Sequence, residues 1–390
     1  MYPRFSDILN DFFGTNLNLP IQTYGFFVAV AFIVAGILVY LELKRKEKAG
    51  IIPIQYTEIF KGRPAGIGEL FLSGLIFFLL GFKISGILFD YQLFSENPQN
   101  YILSFQGNLI AGILFLIAAV FIVYRKGQKE KLSEPISEIV EVHAYHLTPA
   151  LVLIAAFTGI LGAKLFDIIE HLDELFHDPI HVIFSFSGLT FYGGLIVAGL
   201  AVGIYGERNK IKWPIMADTV APALMLAYAI GRIGCQLSGD GCWGIPNLSP
   251  KPEWLAIFPD WMWAFDFPHN VINHGIEITG CVGNFCYALE QPVFPTSFYE
   301  TVICSVFFLI LWFIRKKLIT PGLLFSIYLI LNGLERFTIE QFRVNIKYNI
   351  FNFQTTQAQI IAGILILAGL AGLVFFNRHK ILKTKYVSKN

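Results

Sequence analysis

A few ionisable side chains stand inside apolar stretches of this sequence, at spacings suited to holding an anion. Arg232 lies in GRIGCQLSGDGCWG (231–244), directly after the apolar run APALMLAYAI. Arg336, Glu340 and Arg343 follow one another four and three residues apart in GLERFTIEQFR (333–343), which puts them on one helical face, with Glu335 beside them. Charged groups are costly in lipid, so each is a candidate for function. Guanidinium groups pair bidentately with phosphate, and at a bilayer edge the commonest phosphate is a phospholipid headgroup. The glycines of G-R-I-G-x-x-x-S-G-D-G let backbone amides approach such an anion. The competing structural reading is that Arg336 and Glu340 neutralise each other and that Arg343 snorkels to the interface. Arg232 has no acidic residue within helical reach upstream, and Asp240 approaches it only by folding back.

The elements that must position these groups are membrane helices. Of 390 residues 55% are hydrophobic and 15% charged, well below the roughly 25% charge of soluble domains. The net charge of +1 gives no reason to expect a nucleic-acid partner. Apolar runs of about 20 residues predict an all-α polytopic membrane protein with about nine spans, at 21–43, 67–89, 101–124, 147–169, 183–205, 214–235, 297–314, 321–341 and 357–376. Residues 1–20 contain no basic leader region and read as an interfacial segment. Basic residues follow every odd span: Lys44–Lys48, Arg125–Lys131, Arg208–Lys212, Arg315–Lys317 and Arg378–Lys385. The intervening loops DYQLFSENPQN and HLDELFHDPIHV have neither Lys nor Arg. The positive-inside rule then places the N-terminus outside and the tail, 377–390, in the cytoplasm. The longest loop, 236–296, carries Trp243, Trp254, Trp261 and Trp263 and reads as an outer-face cap.

The chain also echoes itself. GFKISGILFD (81–90) resembles GAKLFDIIEH (162–171), Pro98 matches Pro179, and SFQG (104–107) matches SFSG (185–188), all at one offset. A helix pair at 66–125 thus reads as a diverged copy of 147–206.

Taken in order, several segments resemble the bacterial prolipoprotein diacylglyceryl transferases. LPIQTYGFFVAVAF (19–32) is similar to the family's first-helix Tyr-Gly segment, GAKLFDIIE (162–170) to the helix before its His-Gly-Gly motif, and GLTFYGGLIVAG (188–199) to that motif. AYAIGRIGCQLSGDGCWG (227–244) is similar to its Arg-x-Gly-Asn-Phe-x-Asn-x-Glu-x-x-Gly signature. FPTSFYE (294–300), GLERFTIEQFR and TTQAQIIAG (355–363) resemble the following motifs. The resemblance implies a seven-helix core, at 21–43, 147–235 and 297–376, with 66–125 inserted. It implies transfer of the diacylglyceryl group of phosphatidylglycerol to the lipobox cysteine thiol of a preprolipoprotein, in the bacterial inner membrane with the site toward the outer leaflet. No cofactor or metal is implied.

By resemblance Arg232, Arg336, Tyr192 and Tyr24 would be catalytic. Gly234, Cys235, Ser238, Asp240, Gly244, Tyr299, Glu300, Asn332, Glu340 and Arg343 would line the substrate site. The sequence departs from the family at identifiable places. Tyr192 stands at the motif His, Cys235 and Ser238 at signature Asn residues, Asp240 at the Glu, Asn332 at a Tyr and Phe294 at a His. A phenol is a poor base at neutral pH but hydrogen-bonds to phosphate. A diverged relative that binds anionic phospholipid, or a lipid transporter, remains an alternative.

Among the five cysteines no spacing suggests zinc. Cys281 and Cys286 flank VGNF on the outer loop, where a disulfide is favoured, and Cys235 and Cys242 are a second candidate pair.

Overall fold

The computed structural model describes residues 1–91, 94, 101, 104–133, 136–177, 182, 190–345, 348–350 and 353–387. Pro98, Pro179 and residues 185–188, three of the marks of the internal echo, lie outside the described residues. The chain divides into two compact units, one formed by 1–17, 21–52 and 144–390 and the other by 18–20 and 53–143.

In the first unit a short helix, α1 (Phe5–Phe13), precedes α2 (Thr23–Lys48). Next come α5 (Thr148–Glu170), the short α6 (Leu172–His177), α7 (Phe191–Arg208) and α8 (Trp213–Ser238). After the cap follow α9 (Thr296–Ile314), α10 (Leu323–Ile339) and α11 (Gln357–Val387). The second unit holds α3 (Ile67–Phe89) and α4 (Leu109–Lys129). Among the described residues seven helices are long and apolar enough to cross a membrane: α2, α3, α4, α5 with its preceding turn, α8, α9 and α11. Two further expected spans fall on α7, of 18 residues and closing on Glu207-Arg208, and α10, of 17. The protein is an all-α polytopic membrane protein, with only two-stranded ribbons added among the described residues.

One ribbon lies where the hydropathy reading expects loops. Gln55–Lys61 pairs antiparallel with Ile136–Val142, in register from Gln55 opposite Val142 to Lys61 opposite Ile136. Both strands mix charged and polar residues with β-branched and aromatic ones, which favour strand, and fall too short of 20 apolar residues to register as spans.

Three packing relations matter for the site. Helices α8, α9 and α10 meet through Ala221, Met225, Ala229, Cys304, Leu311, Leu324 and Tyr328, all buried. Helix α2 crosses α8 at Gly234, where a Cβ would lie 3.0 Å from Phe27 Cβ and 3.3 Å from Tyr24 Cα. Helix α8 ends at Gly239, whose φ of 64° is the left-handed cap that glycine supplies cheaply. The turn sends the chain into the cap three residues later than the sequence boundary of 236.

The cap has its own small core of Phe267, Leu289 and Val293, packed by Trp243 and Phe265. Asn270 is fully buried and pins its loop, donating to the carbonyls of His274 (2.9 Å) and Tyr287 (3.0 Å). Cys281 and Cys286 are joined by a disulfide, whereas Cys235, Cys242 and Cys304 are free. The Cys235–Cys242 disulfide considered from the sequence is therefore not formed.

Candidate functional site

Arg232 has no acidic partner along its own helix. The counter-ion comes from the next helix. Arg232, near the end of α8, lies with Nε 2.9 Å from Glu300 Oε2, one turn into α9. Its Nη2 donates to the Tyr228 hydroxyl at 2.9 Å, and that hydroxyl donates to Glu300 Oε1 at 3.2 Å. The guanidinium carbon stands 4.9 Å from the centre of the Tyr228 ring, within cation–π range. Tyr228 is four residues before Arg232, hence on the same face. That spacing is the signal by which sequence reasoning could have found it.

Two more arginines face the same carboxylate. Arg336 Nη1 lies 3.6 Å and Arg343 Nη1 3.8 Å from Glu300 Oε1, while Glu300 itself is completely buried. Arg336 Nη2 also pairs with Glu340 Oε2 at 2.9 Å, so the expected intrahelical pair is present. Glu340 in turn accepts from Asn345 Nδ2. Tyr192, from α7, is hydrogen-bonded to Arg336. Two expectations are corrected here. Helix α10 stops at Ile339, and the chain passes through a 3₁₀ turn to Arg343, whose backbone is extended, so Arg343 does not share the α-helical face of Arg336. Nor does Arg343 snorkel: its side chain is 14% exposed and directed at Glu300.

The cluster leaves buried hydrogen-bonding groups unsatisfied among the described residues. Arg336 Nε is buried and has no acceptor among the described residues. Glu335, 2% exposed, has no hydrogen-bond partner for either carboxylate oxygen among them. A buried donor without an acceptor costs about 1–3 kcal/mol, an expense that an anionic ligand would remove.

Gly244 locks the segments that carry these groups. Its N–H donates to Phe294 O at 2.9 Å, and the Ile245 N–H to Phe342 O at 2.7 Å. It bridges antiparallel to Arg343, and a Cβ there would lie 2.6 Å from Phe342 O. The Cys242 carbonyl accepts from Thr296 Oγ1 (2.8 Å) and Ser297 Oγ (2.9 Å) at the start of α9. The Gly-rich string after Arg232 thus ties α8, α9 and the end of α10 into one frame.

The remaining expected residues divide. Cys235 Sγ lies 4.0 Å from Arg232 Nη1, and the buried Ser238 hydroxyl turns back to the Cys235 carbonyl at 3.4 Å. Asp240 accepts from its neighbour Cys242 N–H at 3.1 Å. Tyr24, 45% exposed, stands on α2 beside Cys235, Asp240 and Arg232. Asn332 sits one turn before Arg336 on α10. Tyr299 faces elsewhere, its hydroxyl donating to Met262 O in the cap at 2.9 Å.

Cys235, Asp240 and Cys242 also bring ligand atoms within 4.8 Å of one another, a proximity the sequence spacing did not suggest. The Arg232 guanidinium beside Cys235 is a permanent cation that opposes a metal ion there. A hydrogen bond from Cys235 holds the Cys242 thiol below its ordinary pKa, with Arg232 and Arg343 acting the same way.

Residues 110–375 match the family described as prolipoprotein diacylglyceryl transferase. The chain belongs to that family. A protein of Corynebacterium glutamicum named phosphatidylglycerol–prolipoprotein diacylglyceryl transferase is 28% identical over 236 residues, 58% of this chain and 67% of that protein. One of the same name from Symbiobacterium thermophilum is 30% identical over 238 residues, 59% of this chain and 76% of its own length. Another, from Clostridium tetani, is 27% identical over 295 residues, 75% of this chain and 98% of its own length. With other relatives of that name the chain spans 61% of their length. The prolipoprotein diacylglyceryl transferase match contains every arginine and glutamate of the cluster, and it begins at the start of α4.

Proposed function

We infer that the protein transfers the diacylglyceryl group of phosphatidylglycerol to the lipobox cysteine thiol of preprolipoproteins. The observation that carries this reading is the convergence of Arg232, Arg336 and Arg343 on the buried Glu300, with Arg336 Nε lacking an acceptor among the described residues.

The chemistry suits that arrangement. The cysteine sulfur attacks the primary glyceryl carbon, the carbon–oxygen bond to phosphate breaks, a thioether forms, and glycerol phosphate leaves. The donor phosphodiester carries one negative charge and the departing monoester gains a second. Preorganised cations therefore bind the transition state more tightly than the ground state. Arg232 and Arg336 hold the phosphate. Glu300 and Tyr228 fix Arg232, Glu340 fixes Arg336, and Arg343 extends the cationic wall. The same field favours the thiolate form of the incoming cysteine, whose proton passes to solvent.

Tyr192, at the family's His, acts through its hydrogen bond to Arg336 rather than as a base. Tyr24 orients the headgroup or the thiol from α2. Gly234, Gly244, Cys235, Ser238 and Asp240 shape the floor of the site, Asn332 borders it, and Tyr299 supports it through the cap. No cofactor takes part, and the partners are phosphatidylglycerol with its surrounding lipids and the preprolipoprotein signal peptide.

The distribution of basic loops supports a cluster toward the outer leaflet of the bacterial inner membrane, with nine spans and a cytoplasmic tail. The packing of α3 on α4 supports 66–125 as a relative of 147–206. A Cβ at Gly81 would meet Phe115 Cβ at 2.7 Å, and one at Gly162, in the corresponding place, Val197 Cβ at 2.6 Å.

The test is donor turnover. Purified protein supplied with phosphatidylglycerol releases glycerol phosphate when a lipobox peptide with cysteine is present, and not with the serine peptide. Release independent of the thiol would contradict the reading.

A further inference from the structure

A second set of buried charges lies at the other end of α2, which the transfer reaction does not use. From Tyr24 to Glu42 the helix rises about 27 Å, at 1.5 Å per residue. There a cavity of about 280 Å³ is lined by Glu42, Arg45 and Lys46 of α2, Asp218 of α8, and Arg315 and Lys316 of the α9–α10 turn. Four cations face two carboxylates.

The carboxylates are already engaged. Glu42, 1% exposed, is bound by Arg45 (Nε to Oε2, 2.9 Å) and by Arg315 (Nε to Oε2, 3.1 Å). Asp218 accepts from the N–H groups of Gly322 (2.7 Å) and Phe325 (2.8 Å), which pins the turn that carries Lys316. Lys46, 5% exposed, has only neutral acceptors, Ile215 O and Thr219 Oγ1, each at 2.9 Å. An ammonium has three donors, so one N–H of Lys46 lacks an acceptor among the described residues. Lys316, exposed at the rim, has no ion pair among them. Asp218 and Glu42 act on Lys46 through space but make no direct ion pair with it, and surplus positive charge in a cavity focuses anions into it.

We propose that this cavity is a phosphate-binding site separate from the arginine–glutamate cluster. Its ligand is a phosphate group, carried either by the headgroup of an anionic phospholipid in the adjoining leaflet or by a small free phosphate. Lys46 and Lys316 contact the phosphate, and Arg45 and Arg315, anchored by Glu42, form its wall. The shape also fits: the cavity opens among Ile51, Leu318 and Ile319, apolar side chains suited to lying beside acyl chains. The inference does not depend on the transferase reading.

The experiment is hydrogen–deuterium exchange on the purified full-length protein in neutral detergent, following peptides over 42–52 and 315–322. The additions are phosphatidylglycerol micelles, phosphatidylcholine micelles and inorganic phosphate. Protection by phosphatidylglycerol alone identifies the headgroup, and protection by inorganic phosphate as well identifies a free phosphate. In either case Lys46→Gln and the exposed Lys316→Gln each weaken the apparent affinity at least tenfold while transfer continues. Absence of protection from both phosphate sources, or protection unchanged in both variants, overturns the proposal. Lys316→Gln keeps the test decisive if the buried substitution fails to fold.

Discussion

Glu300 and Arg232 face each other across the α8–α9 interface with 2.9 Å between Oε2 and Nε, and the carboxylate has no solvent exposure. The same carboxylate also faces Arg336 at 3.6 Å and Arg343 at 3.8 Å. A single buried charge thus organises three guanidinium groups from different stretches of chain. Removing one partner of a buried pair leaves uncompensated charge, typically at a cost of about 3–5 kcal/mol. Glu300→Gln, which keeps the shape and removes the charge, is expected to lower the melting temperature and cut transfer at least about 100-fold, or about 2.7 kcal/mol in barrier. A thermal melt alongside the transfer assay checks both, and a variant with wild-type turnover would refute the organising role.

Tyr228 couples that pair through one hydroxyl, accepting from Arg232 and donating to Glu300. Tyr228→Phe keeps the ring under the guanidinium and deletes the hydroxyl's hydrogen bonds to Arg232 and Glu300. Each is worth about 0.5–1.5 kcal/mol. The expected result is a loss of roughly tenfold in kcat/KM with the fold intact, measured by steady-state transfer and circular dichroism. A larger collapse would mean that the tyrosine carries structural load beyond the pair.

Gly244 offers a test of the frame. An added Cβ meets Phe342 O at 2.6 Å, a backbone atom that cannot rotate away. Gly244→Ala must push the segment leading to Arg343 and is expected to cost about 1–3 kcal/mol of stability, as overpacking does. Activity should fall further than stability alone explains, because Arg343 is displaced from Glu300. Equal transfer rates at matched folded fractions would argue against that coupling.

Much of this was legible in the sequence, and the limits have physical causes. Long apolar runs and basic loops located the helices because lipid imposes length and charge rules that local residues obey. Arg232, Arg336, Glu340 and Arg343 stood out because charge is rare in such runs. What sequence spacing does not encode is which helix brings the counter-ion. Glu300 was visible as a residue of FPTSFYE, yet its meeting with Arg232 depends on the apolar packing of Met225, Ala229 and Cys304. The end of α10 at Ile339 was likewise hidden, since helical periodicity continues through Arg343 on paper while the Gly244 bridge draws that residue into an extended strand. The ribbon of 55–61 with 136–142 is not legible in hydropathy, because its seven-residue strands mix charged with β-branched residues and their pairing spans about 80 residues of chain.

Cys242 provides a pH-dependent check. Its thiol is held below the ordinary value by the Cys235 hydrogen bond and by nearby arginines. A depressed pKa keeps the thiolate populated at lower pH. Alkylation of Cys242 by iodoacetamide should therefore rise with pH through a midpoint below the roughly 8.5 of a free cysteine. Replacing Cys235 by Ser should move that midpoint upward. Peptide mapping by mass spectrometry across pH 5–10 reads the profile, and a midpoint at or above the free value would contradict the geometry.

The most direct measurement is the product itself. Purified protein is incubated with phosphatidylglycerol and a lipobox peptide, and the peptide is examined by mass spectrometry, with Arg232→Ala in parallel. The account predicts a diacylglyceryl thioether on the cysteine that disappears in the variant while the variant remains folded. A folded wild-type protein that binds the lipid and forms no adduct, or an adduct that persists without Arg232, would contradict it.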